Sequence, residues 1–209
     1  MPRVLSVNVG LPQQIGVRRG RPRMSGIVKA PVGGRVRAAG VNLEGDDQAD
    51  RRVHGGPDKA VYTYAVEDIA WWAEALGRPE LGPGWFGENL TLEGADVSGA
   101  VVGERWRIGE ATFEVSQPRL PCFKLGVRFG DPKMLKRFAQ ASRPGAYLRI
   151  VEEGTVGAGD AVEVLHRPEH GVTVQLVANA FLLDPALQPQ AAKAPELASS
   201  LADELRSVA

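Results

Sequence analysis

Cysteine is nearly absent from this sequence, since Cys122 is the only one among 209 residues. A single cysteine excludes an internal disulfide framework and any zinc or iron–sulfur site that takes several thiolates from the chain. Long apolar runs are also missing, because no stretch approaches the roughly 18 residues that a membrane-spanning helix needs. The first residues, MPRVLSVNVG, lack the charged start and apolar core of a signal peptide. We therefore expect a cytoplasmic protein with no membrane partner.

An excess of charge is absent as well. Lys+Arg and Asp+Glu number 25 each, which gives a formal net charge of zero. Proteins that bind nucleic acid in general carry a strong basic excess, so we expect no nucleic-acid partner. The sequence also lacks the motifs of several common enzyme classes: the P-loop, G-x-G-x-x-G, H-E-x-x-H and G-x-S-x-G.

Glycine and proline are plentiful and are spread between short valine-rich runs. Such runs between turn residues are typical of an all-β barrel or sandwich, so we expect a mainly β fold. Residues 4–10 (VLSVNVG) predict a strand. Residues 27–32 and 34–41 predict a hairpin with Gly33-Gly34 at its turn, because paired glycines tolerate positive φ.

A few helices accompany the strands. Apolar residues at three- and four-residue spacing predict a helix over 66–76. A second predicted helix covers 131–141, with Asp131 as its N-cap. The composition then changes, and residues 168–209 predict three short helices separated by prolines. We therefore expect a β domain over residues 1–167 followed by a small helical segment.

Cys122 lies in a proline-rich, basic segment, SQPRLPCFKLG. Pro118 and Pro121 stiffen the approach to it. The cationic neighbours Arg119 and Lys124 favour the thiolate form of a nearby thiol. A lone cysteine is otherwise a small buried hydrophobic residue, and both interpretations stay open at this point.

A polar, glycine-rich segment covers residues 45–64 (GDDQADRRVHGGPDKAVYTY). The amides of His54, Gly55 and Gly56 predict a concavity that binds an anion such as phosphate. Three cationic side chains would balance the charge of that anion: Arg51, Arg52 and Lys59. The alternative is a solvated loop that ends in a turn at Pro57-Asp58. For His54 itself three roles stay open: a general acid, a ligand or a hydrogen-bonded structural residue.

Two shorter segments carry one candidate residue each. In 26–34 (GIVKAPVGG), Lys29 interrupts an apolar strand and points away from its neighbours. In 84–94 (GWFGENLTLEG), Asn89 precedes a strand and is a candidate ligand-binding residue. The alternatives are an outward-facing strand lysine and an Asx turn.

Taken in order, these segments resemble the MOSC domain, the C-terminal domain of molybdenum cofactor sulfurases, and in particular its YiiM-like branch. Five stretches carry the resemblance: 26–32, 45–50, 54–61, 87–90 and 117–125. The resemblance covers residues 1–167, and the remaining residues are similar to the three-helix segment that follows the barrel in that branch. It implies a MOSC-type β-barrel.

The resemblance implies a molybdenum–molybdopterin cofactor with Cys122 as the protein's metal ligand. Positions that match the family's motifs place five more residues in the cofactor and substrate pocket: Lys29, Asp50, His54, Asn89 and Arg119. The terminal phosphate of the cofactor would be held by cations and by the glycine turn: Lys29, Arg51, Arg52, Lys59, Gly55 and Gly56.

The implied activity is reduction of N-hydroxylated compounds, such as 6-hydroxylaminopurine, to amines. Cys122 acts there with His54 or Asp50, either of which is a reasonable proton source. Electrons would come from a separate reductase, because the sequence has no flavin or iron–sulfur signature.

Two other classes remain open. In the first, the protein is a cofactor- or sulfur-carrier module that holds a persulfide on Cys122 without redox turnover. In the second, it is a structural β-barrel domain whose cysteine is buried.

Overall fold

The computed structural model describes residues 1–18, 20–50 and 55–208. Within these ranges the chain forms thirteen β-strands and six α-helices. The strands are β1 (Arg3–Val9), β2 (Gln13–Arg18), β3 (Arg21–Ser25), β4 (Ala30–Pro31), β5 (Arg35–Ala39), β6 (Asn42–Leu43), β7 (Val61–Ala65), β8 (Leu90–Glu93), β9 (Arg105–Ile108), β10 (Ala111–Pro118), β11 (Ala146–Glu152), β12 (Gly154–Gly157) and β13 (Val162–His166). The helices are α1 (Val66–Leu76), α2 (Phe123–Phe129), α3 (Met134–Ala141), α4 (Val174–Leu182), α5 (Gln188–Ala191) and α6 (Ser199–Val208).

Most strands belong to one eight-stranded sheet with the order β13-β9-β10-β11-β7-β8-β1-β4. Neighbouring strands are antiparallel except for the parallel pair β7 and β8. A parallel pair requires a crossover connection, and α1 lies within it. A three-stranded sheet (β12-β5-β6) and the two-stranded β2-β3 hairpin complete the fold. The sheet-rich fold expected from the valine-rich runs is therefore confirmed.

Strand β9 illustrates how the sequence directs this sheet. Its residues alternate in exposure, so that Trp106 and Ile108 are buried while Arg105 and Arg107 face solvent. Alternation with a period of two is what a strand with one buried face requires.

The predicted closed barrel is wrong. In the described part of the chain the sheet has two edges, β13 and the two-residue strand β4. The start of β1 does approach β13, through an isolated bridge between Arg3 and Ala161. A closed barrel needs a continuous ladder with a consistent stagger at the closing strands, and one bridge does not provide it.

The predicted hairpin over residues 27–41 is also wrong. Strand β4 pairs with β1 at Asn8 and Val9, whereas β5 pairs with β12 and β6. The two segments therefore belong to different sheets. Pairing of β5 with the distant strand β12 outweighs the local turn signal of Gly33-Gly34, because in that position Val36 and Ala38 of β5 are buried.

Helices account for a second set of differences. Helix α1 matches the prediction over 66–76 and ends at Gly77, whose φ of 62° is left-handed. Helix α3 begins at Met134, three residues later than predicted, and the Asp131 carboxylate accepts the Lys133 amide (2.8 Å) in the turn before it. Helix α2 was not predicted, and it begins directly after Cys122. Three helices precede residue 168, where two were expected.

Two buried clusters hold these elements together. The larger lies on the eight-stranded sheet and includes residues of the C-terminal helices, such as Val177, Leu201 and Leu205. The smaller is aromatic, and its largest side chains are Tyr64, Trp72, Phe86 and Phe138. Within the described ranges, no helix has both the length and the apolar character needed to cross a bilayer.

The two adjacent tryptophans of α1 provide a test of this packing. Trp72 is 2% exposed, and its Nε1 donates to the Tyr64 hydroxyl at 2.9 Å. We expect Trp72→Ala to lower the free energy of unfolding by about 3–5 kcal/mol, because it leaves a cavity and removes the hydrogen bond that the Tyr64 hydroxyl accepts. Trp71→Ala is the matched control, since Trp71 is 38% exposed, and it should cost about 1 kcal/mol. Equal losses in urea denaturation would contradict the assigned packing.

Candidate functional site

A cavity of about 90 Å³ lies where six parts of the chain meet: residues 25–29, 46–49, 59–62, 87–89, 119–124 and Tyr147. It brings together five of the residues predicted from the sequence: Lys29, Lys59, Asn89, Arg119 and Cys122. These residues come from separate parts of the chain, so only the fold makes them neighbours.

Other predicted site residues lie elsewhere. Asp50 follows Ala49 of the wall but is not one of the described lining residues. Gly55 and Gly56 also lie off the wall, and Gly56 precedes the 3-10 turn Pro57–Lys59, which carries Lys59 to it. Three predicted residues lie outside the described residues: Arg51, Arg52 and His54. The anion-binding turn over residues 54–56 is therefore described only in part.

Cys122 is half-buried and lines the cavity, so it is not sealed within the core. It is the N-cap residue of α2, with extended backbone (φ −123°, ψ 170°), and its carbonyl accepts the Leu125 amide at 2.9 Å. The helix therefore fixes the cysteine backbone while the thiol remains open to the cavity. Arg119 and Lys124 line the same cavity on either side of it in sequence.

Arg119 is a buried cation, with only 7% of its surface exposed. Its guanidinium donates to the Phe86 carbonyl and lies over the Tyr62 ring, 5.0 Å from the ring centroid. Among the described residues, no ion pair neutralises it. Aromatic rings and a carbonyl hold a planar guanidinium without cancelling its charge, so Arg119 makes the cavity electropositive.

Lys29 forms a buried ion pair with Asp46, and the side chains are 6% and 0% exposed. Asp46 also accepts the Gly10 amide (2.9 Å) and the Asn89 side-chain amide (2.9 Å). Burial lowers the pKa of Lys29, and the attraction of Asp46 opposes that shift. Lys29 is thus not an outward-facing strand lysine.

Asn89 joins this ion pair to the sheet. Its Oδ1 accepts the Tyr62 amide at 3.1 Å, while its Nδ2 donates to Asp46. All polar atoms of its side chain therefore have partners within the protein. Asn89 thus positions Asp46 through its side-chain amide. This role differs from the Asx turn that the sequence offered as the alternative.

Two glycines allow the wall segments to approach one another. A Cβ on Gly26 would collide with the Asp47 carbonyl, which comes from another cavity segment. Gly87 has a left-handed φ of 78°, and a Cβ there would lie 2.8 Å from Ile27 Cγ1. Any side chain at either position would push the walls apart.

Several lining residues were missed as site residues, among them Asp46, Gln48 and Tyr147. Asp46 and Gln48 lie in a stretch that resembles the family, and their burial was the missing information. Tyr147 lies on β11 opposite Tyr62, with ring centroids 5.1 Å apart, and no sequence motif marks it.

Comparison with known proteins decides the family. A family profile for the MOSC domain matches residues 50–163, and the YflK protein of Bacillus subtilis is 44% identical over 172 residues, 82% of this chain and 77% of YflK. The chain belongs to the MOSC domain family. YiiM of Escherichia coli is 38% identical over 159 residues, which cover 75% of this chain and 69% of YiiM. This family is related to the molybdenum cofactor.

Solved structures agree with this assignment. The crystal structure of YiiM from Geobacillus stearothermophilus has a TM-score of 0.81 at 27% identity, covering 99% of this chain and 98% of that chain. YiiM from Escherichia coli has a TM-score of 0.78 at 26% identity, covering 99% and 92%. The resemblance to the YiiM-like branch is confirmed.

The cavity wall fits a molybdenum–pterin cofactor in its chemistry. The Cys122 thiolate is a soft ligand of the kind that such a metal accepts. Three cationic side chains of the wall suit a phosphate group, Lys59, Arg119 and Lys124, whereas the charge of Lys29 is paired with Asp46. In the described residues, the buried Oε1 of Gln48 has no hydrogen-bond partner, and an N–H group of a pterin would satisfy it.

The Lys29–Asp46 pair generates a test by double-mutant cycle. We expect Asp46→Asn to lower the free energy of unfolding by about 3–5 kcal/mol, because it leaves a buried ammonium without its counter-charge. Adding Lys29→Met should recover part of that loss, and urea denaturation measures all four proteins. Strict additivity would contradict a direct coupling.

The pH dependence of the stability of Asp46→Asn distinguishes an uncompensated charge on Lys29 from a general loss of packing. Without Asp46, the burial that lowers the pKa of Lys29 from its ordinary value of 10.5 is opposed only by the weaker attraction of Glu88. The unfolded chain then binds more protons than the folded one in the window below that value. Stability therefore rises with pH there, and the deficit of the variant should shrink as the pH approaches 10. A constant deficit would argue against a charged Lys29 as its source.

Proposed function

We propose that this protein is a molybdenum-cofactor-dependent reductase that converts N-hydroxylated compounds, such as 6-hydroxylaminopurine, to amines. One observation carries the proposal: in a MOSC-family fold, the half-buried Cys122 shares a cavity wall with three cationic side chains, those of Lys59, Arg119 and Lys124. Cys122 would be the metal ligand, and the cations would hold the phosphate of the cofactor.

A relative's name supports reductive chemistry. A protein of Gibberella moniliformis named "Reductase" is 35% identical over 147 residues, which cover 69% of this chain and 26% of that protein. The name belongs to the whole of that longer chain. It supports the reaction class proposed here and does not specify a substrate.

The reaction is R–NHOH plus two electrons and two protons, giving R–NH2 and water. When bound, the molybdenum cofactor supplies the two-electron chemistry that removes the oxygen. The chain itself would bind and orient the reactants. Arg119 and the Lys29–Asp46 pair fix the charge around the cavity, and Gln48 offers an acceptor to N–H groups of a bound ring.

Protons must reach the oxygen that leaves as water. We assign this role to His54 or Asp50, as the sequence suggested. Asp50 directly follows the wall segment 46–49 in sequence. Cys122 is unsuited to the role, because metal binding requires its deprotonated form.

Metal content and activity test the proposal together. We expect the purified protein to bind about one molybdenum per chain, because it offers one thiolate ligand. Cys122→Ser should lose most of that metal and reduce 6-hydroxylaminopurine at least about a hundredfold more slowly with reduced viologen as donor. Lys133→Ala, an exposed residue away from the cavity, is the control. Sulfane sulfur on Cys122 without molybdenum would instead indicate the carrier function.

Electron supply generates a separate test. We propose that a distinct reductase in the cytoplasm delivers the electrons, since the sequence has no flavin or iron–sulfur signature. The purified protein should therefore show no turnover with NADH or NADPH alone, and turnover should begin when reduced viologen is added. Full turnover with the nicotinamide alone would refute the need for a separate donor.

A further inference from the structure

A second cavity, of about 490 Å³, lies between the β2–β3 hairpin and helices α2 and α3. Its volume falls within the roughly 300–1,000 Å³ of small-molecule sites. Its lining is largely apolar and includes Val17, Phe123, Val127, Pro132 and Leu135. None of these residues belongs to the wall of the first cavity, so this is a separate space.

Arg23 is one of two charged residues that line this cavity. It lies on β3 opposite Gly16, and its Nε is buried without a hydrogen-bond partner in the described residues. A buried, unsatisfied donor of a charged group is costly, so such groups normally have a partner. The guanidinium can therefore bind an anion, to which its Nε would donate a hydrogen bond.

The other charged residue, Asp131, does not serve as that partner. Its Oδ1 accepts the Lys133 amide at 2.8 Å, and its Oδ2 lies 3.5 Å from Arg137 Nε. The charge of Asp131 is thus directed toward α3.

We propose that this cavity binds an organic anion with an apolar body. Its carboxylate or sulfonate would accept hydrogen bonds from the Nε edge of Arg23, a geometry that suits planar anions. Its apolar body would lie against Val127 and Leu135, which withdraws apolar surface from water. The ligand needs both an anionic group and an apolar body. A small inorganic anion would leave the apolar surface uncovered, and a neutral apolar compound would leave Arg23 Nε without a partner.

Helix α2 separates this site from the first cavity. Cys122 and Lys124 line the first cavity, whereas Phe123 and Gly126 line the second. The anion would thus bind beside the backbone that positions the thiol. The inference does not depend on the proposed reductase activity, because it rests on residues outside that site.

Naphthoate and its neutral analogue naphthamide test the proposal by isothermal titration calorimetry on the full-length protein. Both compounds have the same apolar body, and only naphthoate carries a charge. We expect one naphthoate to bind per chain, at least about tenfold more tightly than naphthamide. Arg23→Gln should remove that difference by weakening naphthoate about tenfold and leaving naphthamide unchanged.

Two further variants provide the controls. Arg21→Gln changes an exposed arginine on the same strand and should leave both affinities as they are. Val127→Trp fills the cavity from α2 and should abolish binding of both compounds. Equal affinities for the two compounds, an equal effect of Arg21→Gln and Arg23→Gln, or no binding of naphthoate would each overturn the proposal. If Val127→Trp is unstable, the comparison of Arg23→Gln with Arg21→Gln decides the result.

Discussion

The buried ion pair of Lys29 and Asp46 is the contact on which the first cavity depends. Asp46 also accepts the Gly10 amide and the Asn89 side chain, and Asn89 accepts the Tyr62 amide. Segments distant in sequence are thereby joined at one carboxylate. Neither charge is stable alone in a low-dielectric interior, so the pair and its hydrogen bonds form together. The shape of the cavity follows from this requirement.

The segment 119–126 then determines what the cavity offers. Arg119 is held by the Phe86 carbonyl and the Tyr62 ring, and it keeps its charge within the cavity wall. Three residues later the chain turns into α2, with Cys122 at its N-cap position. A helix that begins there fixes the cysteine backbone and leaves the thiol accessible. The same short helix forms a wall of the second, apolar cavity, so two spaces of different chemistry meet along it.

The sequence by itself determined those features whose signals are local. Periodic apolar residues predicted α1, and Gly77 ended it as expected. Valine-rich runs indicated a sheet-rich fold, since alternation and turn residues act over a few positions. The motifs around Lys29 and Cys122 identified the family, because residue types and their spacing can be read without knowing their contacts. Five of the residues predicted in this way lie on one cavity wall. Three site residues, Arg51, Arg52 and His54, remain sequence predictions outside the described residues.

Tertiary structure alone decided which segments meet. The open sheet replaced the expected barrel, and residues 27–41 were divided between two sheets, because strand pairing depends on partners far along the chain. The burial of Lys29 against Asp46 and the position of Tyr147 have the same origin. Arg23 could not be distinguished from its neighbouring arginines by sequence, since only packing leaves its Nε buried without a partner. Local patterns specify elements, whereas burial and charge pairing are properties of the assembled chain.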